Sequence, residues 1–447
     1  MVDNNKTYVL VLGLGKTGQS IARYLRRKNI PFIVYDTREH PADLEAFYSE
    51  FNDVDVFLGL FPEALLENVS DVMSSPGVSL DIPLIQAVLS KKITIYGDIE
   101  CLARESTAPM IAITGTNGKS TVTTIVGEMA QMAGINVAVA GNIGTPVLDL
   151  LDNGIHYNLW VLELSSFQLD LTTSLAPVAA TILNITSDHL DRHHSFQSYV
   201  DAKQNVYHRA ATMIYNRDDE LTKPVDHLTH LTSFGLDVPV TGQWGIIEDG
   251  SQSFLAYGAE KLMSVEQLKI KGRHNWANAL AACALAHAAG IDFQCMTTVL
   301  KQFAGLPHRV QWVRTLNGVD WINDSKGTNI GATCSAISGI GGSMQGKIVL
   351  IAGGQGKGAD FSELSSTMAE HVRTVVLIGE DADKMERALA DVVPVLRAAT
   401  LEEAVKLAHC QAQSGDVVML SPACASQDMF RDFNDRGQVF VSAVEEL

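Results

Sequence analysis

Residues 110–128 read Met110-Ile-Ala-Ile-Thr-Gly-Thr-Asn-Gly-Lys-Ser-Thr-Val-Thr-Thr-Ile-Val-Gly-Glu128, and this stretch decides the fold around it. A short apolar run, a turn with two glycines and a helix-like continuation predict a strand, a loop and a helix. The glycines let the backbone turn tightly and aim its N–H groups at an anion, and the helix N-terminus that follows favours negative charge. The stretch therefore predicts a loop that holds the phosphates of a nucleotide.

The side chains of this loop agree with that prediction. Lys119 supplies a positive charge, and Ser120 and Thr121 supply hydroxyls at the start of the helix. Ile113 stands where the usual G-x-x-x-x-G-K-[ST] pattern has its first glycine, so the match is to a shortened relative of that motif. An ordinary glycine turn before a buried helix is the alternative, but it leaves the run of Lys, Ser and Thr unexplained. The predicted phosphate contacts are Gly115, Thr116, Asn117, Gly118, Lys119, Ser120 and Thr121.

A second glycine-rich turn, Gly13-Leu-Gly-Lys-Thr-Gly18, follows the apolar run at 8–12. Its G-x-G-x-x-G spacing opens a predicted helix, and Asp36 ends the next apolar run, where a carboxylate could take ribose hydroxyls. This pattern is typical of a dinucleotide-binding domain, although such a turn can also bind nothing. Arg38 adds a cation that would suit a diphosphate. Ser74-Ser-Pro-Gly77 ends another predicted strand and is either a ligand contact or plain turn chemistry.

Length and composition limit the class of protein. The 447 residues exceed what one hydrophobic core usually supports, and we expect three domains, at 1–97, 98–305 and 306–447. A net charge of −18 argues against a nucleic-acid groove. The six cysteines are dispersed without a C-x-x-C pair, which suits neither a zinc knuckle nor a disulfide framework. With no predicted signal peptide or spanning helix, we expect a cytoplasmic monomer with no nucleic-acid or membrane partner.

The middle of the chain offers ligands for a metal ion. Glu163 interrupts an apolar run, which costs free energy unless the carboxylate is paired or bound to a cation, and a Mg²⁺ ligand is the favoured interpretation. The apolar run 179–184 leads into Asp188-His189-Leu-Asp-Arg-His-His194, whose histidines are either metal ligands or solvated loop residues. An irregular section follows. The stretch 271–282 then begins an alanine-rich helix. Asn278 lies near its polar N-terminal end, which predicts a contact with adenine or phosphates.

The last part of the chain predicts a third α/β domain. Its strand-like runs lie at 320–323, 347–352, 374–378 and 416–420. Three of them lead into polar or glycine-rich loops, and parallel sheets keep their binding sites at such strand ends. These loops are Asp324-Ser-Lys-Gly-Thr-Asn329, Gly353-Gly-Gln-Gly-Lys-Gly358 and Ser421-Pro-Ala-Cys-Ala-Ser426. The predicted fold is therefore α/β with three domains, Rossmann-like at the N-terminus, a P-loop-type ATPase in the centre, and Rossmann-like again at the C-terminus.

Eight motifs, taken together and in order, resemble the Mur ligases. They are T-G-T-N-G-K-S-T at 114–121, G-N-I-G at 141–144, E-L-S-S-F-Q-L at 163–169, D-H-L-D-R-H at 188–193, G-R-H-N-W-A-N-A at 272–279, G-L-P-H-R at 305–309, D-S-K-G-T-N at 324–329 and S-P-A-C-A-S at 421–426. The D-S-K-x-T-N loop and the N-terminal G-L-G-x-T-G favour the member that adds D-glutamate to UDP-N-acetylmuramoyl-L-alanine. The resemblance implies that ATP converts the substrate carboxylate to an acyl phosphate, which the amino group of D-glutamate then attacks.

The resemblance also implies roles for individual residues. The implied catalytic residues are Lys119, Glu163, His189 and Lys203, and the further ATP contacts are Asn278, Arg309 and Asp324. Two Mg²⁺ ions would be held by Ser120, Glu163, His189 and Lys203, the lysine as its carbamate. The uridine diphosphate group would bind Leu14, Thr17, Asp36, Thr37, Arg38 and Gly77, with Asn142 and His189 as further substrate contacts. D-Glutamate would bind Lys326, Thr328, Lys357, Ser426 and Phe433.

Other functions stay open at this point. An NAD-dependent oxidoreductase built on residues 8–38 would leave the loop around Lys119 without a task. A regulatory nucleotide-binding module without chemistry would leave Glu163, His189 and Lys203 unused. Another Mur-type ligase would share the whole pattern. A folylpolyglutamate-type ligase would share the middle and last domains but should lack the N-terminal G-L-G-K-T-G domain.

Overall fold

Three open α/β sheets follow one another along the chain. The computed structural model describes residues 7–225, 230–270, 272–342, 344 and 346–447. The sheets have five, nine and six strands, and most neighbouring strands run parallel, so the predicted three-domain α/β fold is confirmed. Within these described ranges, no helix is both long enough and apolar enough to cross a membrane.

Parallel strands make up the first sheet. Its elements are β1 (Tyr8–Leu12), α1 (Lys16–Arg27), β2 (Phe32–Asp36), α2 (Leu44–Glu50), β3 (Val56–Leu58), β4 (Val69–Ser74), α3 (Pro83–Ser90) and β5 (Thr94–Tyr96). The strand order is β3-β2-β1-β4-β5, so the winding of the chain reverses at β1. Open parallel sheets bind ligands at the carboxyl ends of the strands beside such a reversal. The turn Gly13–Gly18 lies there, as its sequence predicts.

The second sheet holds the predicted nucleotide loop. Its elements are α4 (Asp98–Glu105), β6 (Met110–Thr114), α5 (Lys119–Met132), β7 (Val137–Gly141), α6 (Val147–Leu151), β8 (Leu159–Glu163), α7 (Ser166–Leu169), β9 (Ala179–Ile182), α8 (Leu190–His193), α9 (Phe196–Gln204), β10 (Thr212–Asn216), β11 (His230–Phe234), β12 (Trp244–Asp249), β13 (Gln252–Tyr257), β14 (Glu260–Ser264), α10 (Arg273–Ala288) and α11 (Phe293–Gln302). The order β14-β13-β12-β11-β10-β9-β6-β8-β7 places β6, β8 and β9 side by side. The loops after these three strands therefore meet at one edge.

The prediction of an irregular section before α10 is wrong. β10 to β14 fill that section, and β12, β13 and β14 form an antiparallel meander at the edge of the sheet. Only one face of such an edge is covered, so polar and apolar residues mix along each strand and no long apolar run marks them. Gln252, at the start of β13, is exposed, whereas Leu255 within it is fully buried.

The third sheet brings the three predicted loops together. Its elements are β15 (Gln311–Leu316), β16 (Val319–Asn323), α12 (Ile330–Gly341), β17 (Ile348–Gly353), α13 (Ser365–His371), β18 (Val372–Ile378), α14 (Ala382–Leu389), β19 (Val395–Arg397), α15 (Leu401–Gln411), β20 (Val417–Leu420) and α16 (Phe433–Glu445). In the order β15-β16-β20-β17-β18-β19, the strands β16, β20 and β17 are neighbours and run parallel. The loops 324–329, 421–426 and 353–358 follow these strands and leave the same edge.

The first two sheets pack on each other through α1. Arg23 and Arg27 on this helix form ion pairs of 2.6 and 2.7 Å with Asp149 and Asp152 of the second layer. One apolar cluster spans both layers, from Val11 to Trp160. No sheet continues across residues 97 or 305, and we propose these positions as the domain boundaries.

Two glycines of the first turn give a matched test of this fold. A Cβ on Gly18 would stand 1.7 Å from the carbonyl oxygen of Gly13, whereas a Cβ on Gly15 would meet open space. Gly18→Ala should therefore force the turn open and lower the free energy of unfolding by about 1–3 kcal/mol. Gly15→Ala should stay within about 0.5 kcal/mol of the wild type. Thermal denaturation followed by circular dichroism compares the two, and equal melting temperatures would contradict the close approach.

Candidate active site

The nucleotide loop joins β6 to α5 with two glycines in the left-handed half of backbone space. Gly115 has φ of +149° and Gly118 has φ of +81°, where a side chain would be strained. Lys119 folds back over this loop, and its Nζ donates to the carbonyl oxygens of Gly115 and Thr116 at 2.8 and 2.9 Å. Burial lowers the pKa of Lys119, and the nearby Glu163 opposes that shift. Hydrogen bonds to its own loop thus hold the Lys119 ammonium close to where a phosphate would lie.

The end of β9 holds this loop in place from one side. The Thr116 hydroxyl donates to the carbonyl of Thr186 at 3.1 Å and accepts from the N–H of Thr186 at 3.0 Å. The N–H of Asn117 donates to the side-chain oxygen of Asn184 at 2.8 Å, and the Asn184 amide donates back to the Asn117 carbonyl at 3.1 Å. These paired bonds fix the loop before any ligand binds, which reduces the ordering cost of binding.

Glu163 ends β8 beside this loop and is 2% exposed. Its two oxygens accept hydrogen bonds from the Ser120 hydroxyl at 2.6 Å and from the Asn142 amide at 2.9 Å. Arg309 reaches over from the third domain and donates to the same Ser120 hydroxyl at 2.6 Å. A buried carboxylate is costly unless it is paired in this way or bound to a cation.

This oxygen pair fits Mg²⁺. The ion prefers carboxylate and hydroxyl oxygens and keeps several water or phosphate ligands, so one or two protein groups are enough to hold it. Glu163 and Ser120 lie together at the start of α5, where the phosphates would arrive. Nowhere in the described part of the chain, this place included, do three His, Cys, Asp or Glu side chains gather into a complete protein cage for a metal.

Lys203 is 2% exposed, although it carries an amine. Its Nζ donates to the carbonyl of Gly115 at 2.9 Å and lies 4.6 Å from the ring centre of Tyr199. Burial lowers the pKa of Lys203 well below its ordinary value, and the positive charge of Lys119 adds to that shift. His189 follows β9 with φ of +54°, and its Nε2 is 3.7 Å from the Asp188 carboxylate.

The three predicted ATP residues beyond the loop share one cavity. It has a volume of about 320 Å³ and lies between the second and third domains. Asn278, Arg309 and Asp324 line it together with Asn117 and Thr121 of the nucleotide loop. Asp324 accepts from the Ser421 hydroxyl at 2.7 Å, and burial raises its pKa to about 7.

The residues predicted for D-glutamate occupy two places. Thr328 and Lys357 line a cavity of about 250 Å³ with Asp188 and His189, and the Lys357 Nζ is 4.0 Å from an Asp188 oxygen. Lys326 lies in the ATP cavity instead, with its ammonium 3.9 Å from the ring centre of Phe433. Burial lowers the pKa of Lys326 to about 8.

Ser426 and Phe433 are not among the residues that line the cavity around Lys357. Ser426 is buried, and its carbonyl accepts from the N–H of Phe430 at 2.8 Å. Phe433 begins α16, and its carbonyl accepts from the Ser325 hydroxyl at 2.8 Å. The roles of both residues toward an amino acid stay predictions.

The first domain has a cleft of about 610 Å³ at the predicted edge. Thr17, Thr37, Arg38 and Gly77 line it, as does Asp36. The Asp36 carboxylate accepts two hydrogen bonds from the Arg38 guanidinium, at 2.8 and 2.7 Å. Burial alone would raise the pKa of Asp36, but the hydrogen bonds that it accepts from Arg38 and Leu14 outweigh burial and lower it. The bond from the N–H of Leu14 is 2.8 Å long.

These contacts bear on the roles expected for Asp36 and Leu14. Both Asp36 oxygens already serve Arg38, so in this structure the carboxylate positions the guanidinium rather than facing the cleft with free oxygens. The Leu14 side chain is fully buried and offers the cleft no surface. Arg192 of the second domain enters the same cleft and donates to the carbonyls of Gly77 and Val78 at 3.1 and 3.0 Å.

Sequence reasoning missed Arg436. This arginine on α16 is 1% exposed, and its guanidinium donates to the carbonyls of Ser325 and Cys424 at 2.8 and 3.1 Å. It thereby ties two of the predicted loops together. An arginine in an amphipathic helix is usually a surface residue, so the sequence offered no signal for this role.

Comparison with known proteins gives the same family along the chain. Residues 7–97 match the Mur ligase MurD-like N-terminal domain, residues 113–286 the Mur ligase middle domain, and residues 308–424 the Mur ligase glutamate ligase domain. The UDP-N-acetylmuramoylalanine--D-glutamate ligase of Legionella pneumophila (strain Paris) is 62% identical, over 99% of this chain and 100% of the relative. The enzyme of the same name from Hahella chejuensis (strain KCTC 2396) is 49% identical, over 98% of both.

Solved structures support the fold. A pseudomurein peptide ligase type C from Methanothermus fervidus superposes with a TM-score of 0.63 at 18% identity, over 99% of this chain and 100% of the other. The UDP-N-acetylmuramate-alanine ligase MurC from Thermotoga maritima gives a TM-score of 0.61 at 17% identity, over 98% and 99%. At such identities these likenesses concern the fold alone.

The buried Asp324 generates a pH-dependent prediction. Its pKa is about 7 in the folded protein and near the ordinary value of 3.8 in the unfolded chain, so the folded protein binds the extra proton between these values. The stability that this group contributes therefore falls as the pH rises from about 4 to about 7. The free energy of unfolding of Asp324→Asn minus that of the wild type, measured by denaturant titration at each pH, should grow over this range by up to about 1.4 kcal/mol per pH unit.

The control for this comparison is Asp391→Asn, because Asp391 is exposed. Its difference from the wild type should stay constant with pH. A constant difference for Asp324→Asn as well would contradict the raised pKa.

Proposed function

This chain belongs to the Mur ligase family, and from that membership we propose that it joins D-glutamate to UDP-N-acetylmuramoyl-L-alanine while ATP is converted to ADP and phosphate. The family predicted from the motifs is thereby confirmed. In the structure, the nucleotide loop lies against the loops of the third domain, where Arg309 contacts Ser120. This contact is the observation that carries the proposal. An enzyme that transfers a phosphoryl group and then an amine needs both parts at one place.

ATP binds across the second and third domains. The N–H groups of the loop 115–121 and the ammonium of Lys119 meet its phosphates, and Asn278, Arg309 and Asp324 line the adjoining cavity. Ser120 and Glu163 would hold Mg²⁺, and the ion would neutralise charge on the phosphates. Lys119 leaves the carbonyls of Gly115 and Thr116 to do so, which costs little because phosphate oxygens replace them as acceptors.

The reaction has two steps. The substrate carboxylate attacks the γ-phosphorus of ATP, ADP leaves, and Lys119 and Arg309 stabilise the charge on the transferred group. The uncharged amino group of D-glutamate then attacks the carbonyl carbon of the acyl phosphate. A tetrahedral intermediate forms and its nitrogen loses one proton to solvent. The bond between the carbonyl carbon and the phosphate oxygen then breaks, phosphate leaves with the electron pair, and an amide bond remains. Lys357 and Thr328 bind the side-chain carboxylate, and Ser426 and the region of Phe433 bind the α-carboxylate, so that the amine alone is free to react.

The uridine diphosphate of the substrate lies in the cleft of the first domain. Arg38 faces the diphosphate because Asp36 fixes its guanidinium, and Thr17, Thr37 and Gly77 complete the contacts. Asn142 and His189 contact the substrate nearer to its reacting carboxylate. NAD is the alternative ligand for this domain, because the G-x-G-x-x-G spacing of the turn at Gly13–Gly18 is also typical of dinucleotide binding. We place the reaction in the cytoplasm, in peptidoglycan precursor synthesis, with a monomer that needs neither a membrane nor a nucleic acid.

Phosphate release tests this function directly. The purified protein is given Mg²⁺, ATP and UDP-N-acetylmuramoyl-L-alanine, with and without D-glutamate. Sustained release should require D-glutamate and the nucleotide-sugar, and Lys119→Ala should lower it by about 10³-fold or more. Faster turnover with L-lysine or meso-diaminopimelate would overturn the substrate assignment. Hydride transfer with NAD and no phosphate release would overturn the reaction class.

Lys203 is carbamylated in the active enzyme. Its low pKa supplies a neutral amine, which adds to CO₂ with loss of one proton to give a carbamate. An ammonium cannot ligate a cation, whereas the carbamate oxygens can, and with His189 they would hold a second Mg²⁺.

Lys203→Ala should therefore lose activity by about 100-fold or more, and added formate or acetate should restore part of it by supplying carboxylate oxygens. Lys301→Ala on α11 is the control, since Lys301 is exposed and its loss should change nothing. Intact-mass measurement of the wild type in bicarbonate is the second readout. An active Lys203→Ala variant, or a bare ammonium in a crystal grown with bicarbonate, would contradict carbamylation.

Lys357 determines the affinity for D-glutamate. Loss of a charge-assisted contact costs about 1.5–3 kcal/mol, so Lys357→Ala should raise the KM for D-glutamate more than tenfold and leave the KM for ATP nearly unchanged. Lys406→Ala, on the exposed face of α15, is the matched control. An unaltered KM for D-glutamate in Lys357→Ala would defeat the assignment.

A further inference from the structure

Asn329 joins the third domain to the second at the centre of the site. It ends the loop that carries Lys326 and Thr328, and it is the N-cap residue of α12, where its side-chain oxygen accepts from the N–H of Ala332 at 2.8 Å. The same side chain also reaches the second domain. Capping alone needs only the oxygen, so the amide nitrogen is available for a further role.

The amide nitrogen of Asn329 makes two contacts across the domain interface. It donates to the side-chain oxygen of Asn117 in the nucleotide loop at 3.3 Å and to a carboxylate oxygen of Asp188 at 3.2 Å. The Asn117 amide donates back to the Asn329 oxygen at 3.5 Å. An amide has two donor hydrogens and two acceptor positions, and these contacts use all of them.

The partners of Asn329 belong to different parts of the reaction. Asn117 lies in the loop that meets the phosphates, and its backbone is fixed by Asn184. Asp188 precedes His189 and lies 4.0 Å from the Lys357 ammonium. Asn329 is 9% exposed, so these hydrogen bonds are largely shielded from water and their loss is not replaced by solvent.

We propose that Asn329 is a positioning residue that aligns the amino-acid loop of the third domain with the nucleotide loop of the second, and so couples the binding of ATP to that of D-glutamate. The inference rests on the proposed function and adds to it a positioning role for Asn329, which also lines the cavity around Lys357. The amine must meet an acyl phosphate that forms on the other domain, and small displacements between reacting atoms are costly. Coupling of this kind is reciprocal, because each ligand favours the aligned arrangement.

Three variants separate alignment from helix capping. Asn329→Ser keeps a capping oxygen but is too short to reach Asp188. Asn329→Asp keeps the cap as well, but loses both donor hydrogens and adds a negative charge beside the Asp188 carboxylate. Asn329→Ala loses the cap and the bridge together. Asp292→Ser is the matched control, since Asp292 caps α11 through the N–H of Cys295 at 2.8 Å and is exposed.

Calorimetry measures the coupling with a non-hydrolysable ATP analogue, adenylyl imidodiphosphate with Mg²⁺. In the wild type, saturating D-glutamate should lower the Kd of the analogue about tenfold. This factor corresponds to the net free energy of roughly two hydrogen bonds. In Asn329→Ser and Asn329→Asp this factor should fall close to one while the melting temperature stays near that of the wild type. Asp292→Ser should keep the factor. In turnover, both Asn329 variants should lower kcat for amide formation more than they raise the KM for ATP.

Small-angle X-ray scattering keeps this test independent of the proposed function. The analogue should make the wild type more compact than Asn329→Asp, whatever amino acid the enzyme uses. If the wild type releases no phosphate with D-glutamate, the proposed function fails and the scattering comparison still decides the bridge. Unchanged coupling and scattering in Asn329→Ser and Asn329→Asp would overturn the proposal. So would activity that is normal in both and lost only in Asn329→Ala, because that pattern belongs to a helix cap.

Discussion

Glu163 lies buried at the end of β8, and the requirement to pair its charge governs the geometry around it. β8 is hydrogen-bonded to β6, so the carboxylate is held next to the loop that follows β6. Ser120 and Asn142 supply its hydrogen bonds, the first from α5 and the second from the loop after β7. Arg309 bonds to Ser120 and thereby extends the same network into the third domain. One buried negative charge thus contributes to the contact between the two domains, beside the hydrogen bonds of Asn329.

Two lysines lie against the same nucleotide loop. Lys119 and Lys203 both donate to the carbonyl of Gly115, at 2.8 and 2.9 Å, so their ammonium groups are close to each other. Like charges held this near in a buried place favour the loss of one proton. Lys203 is the more enclosed of the two, and its pKa is lowered well below the ordinary value. One lysine therefore remains suited to a phosphate, while the other is suited to chemistry that needs a neutral amine.

The sequence predicts the parts of this structure that are local in the chain. The nucleotide loop, the turn at Gly13 and the loops after β16, β17 and β20 are marked by glycines and polar residues at the ends of apolar runs. The strands β12, β13 and β14 carry no such mark, because an edge strand buries one face only. The contacts of Arg436 with Cys424 and of Asn329 with Asn117 join elements that fold together only in three dimensions. No spacing of residues in the sequence predicts them.

Asp36 shows why a correct pattern can still leave a role unsettled. Its position after β2 is the one expected of a carboxylate that takes ribose hydroxyls, yet Arg38 stands two residues later and occupies both of its oxygens. A bidentate pair at a 3% exposed carboxylate is stable enough to persist when a ligand arrives, since breaking it would leave a buried charge unpaired. The pair presents a fixed cation to the cleft. A fixed cation favours an anionic group over uncharged hydroxyl groups, so a pattern typical of ribose binding here gives a cleft lined by a guanidinium.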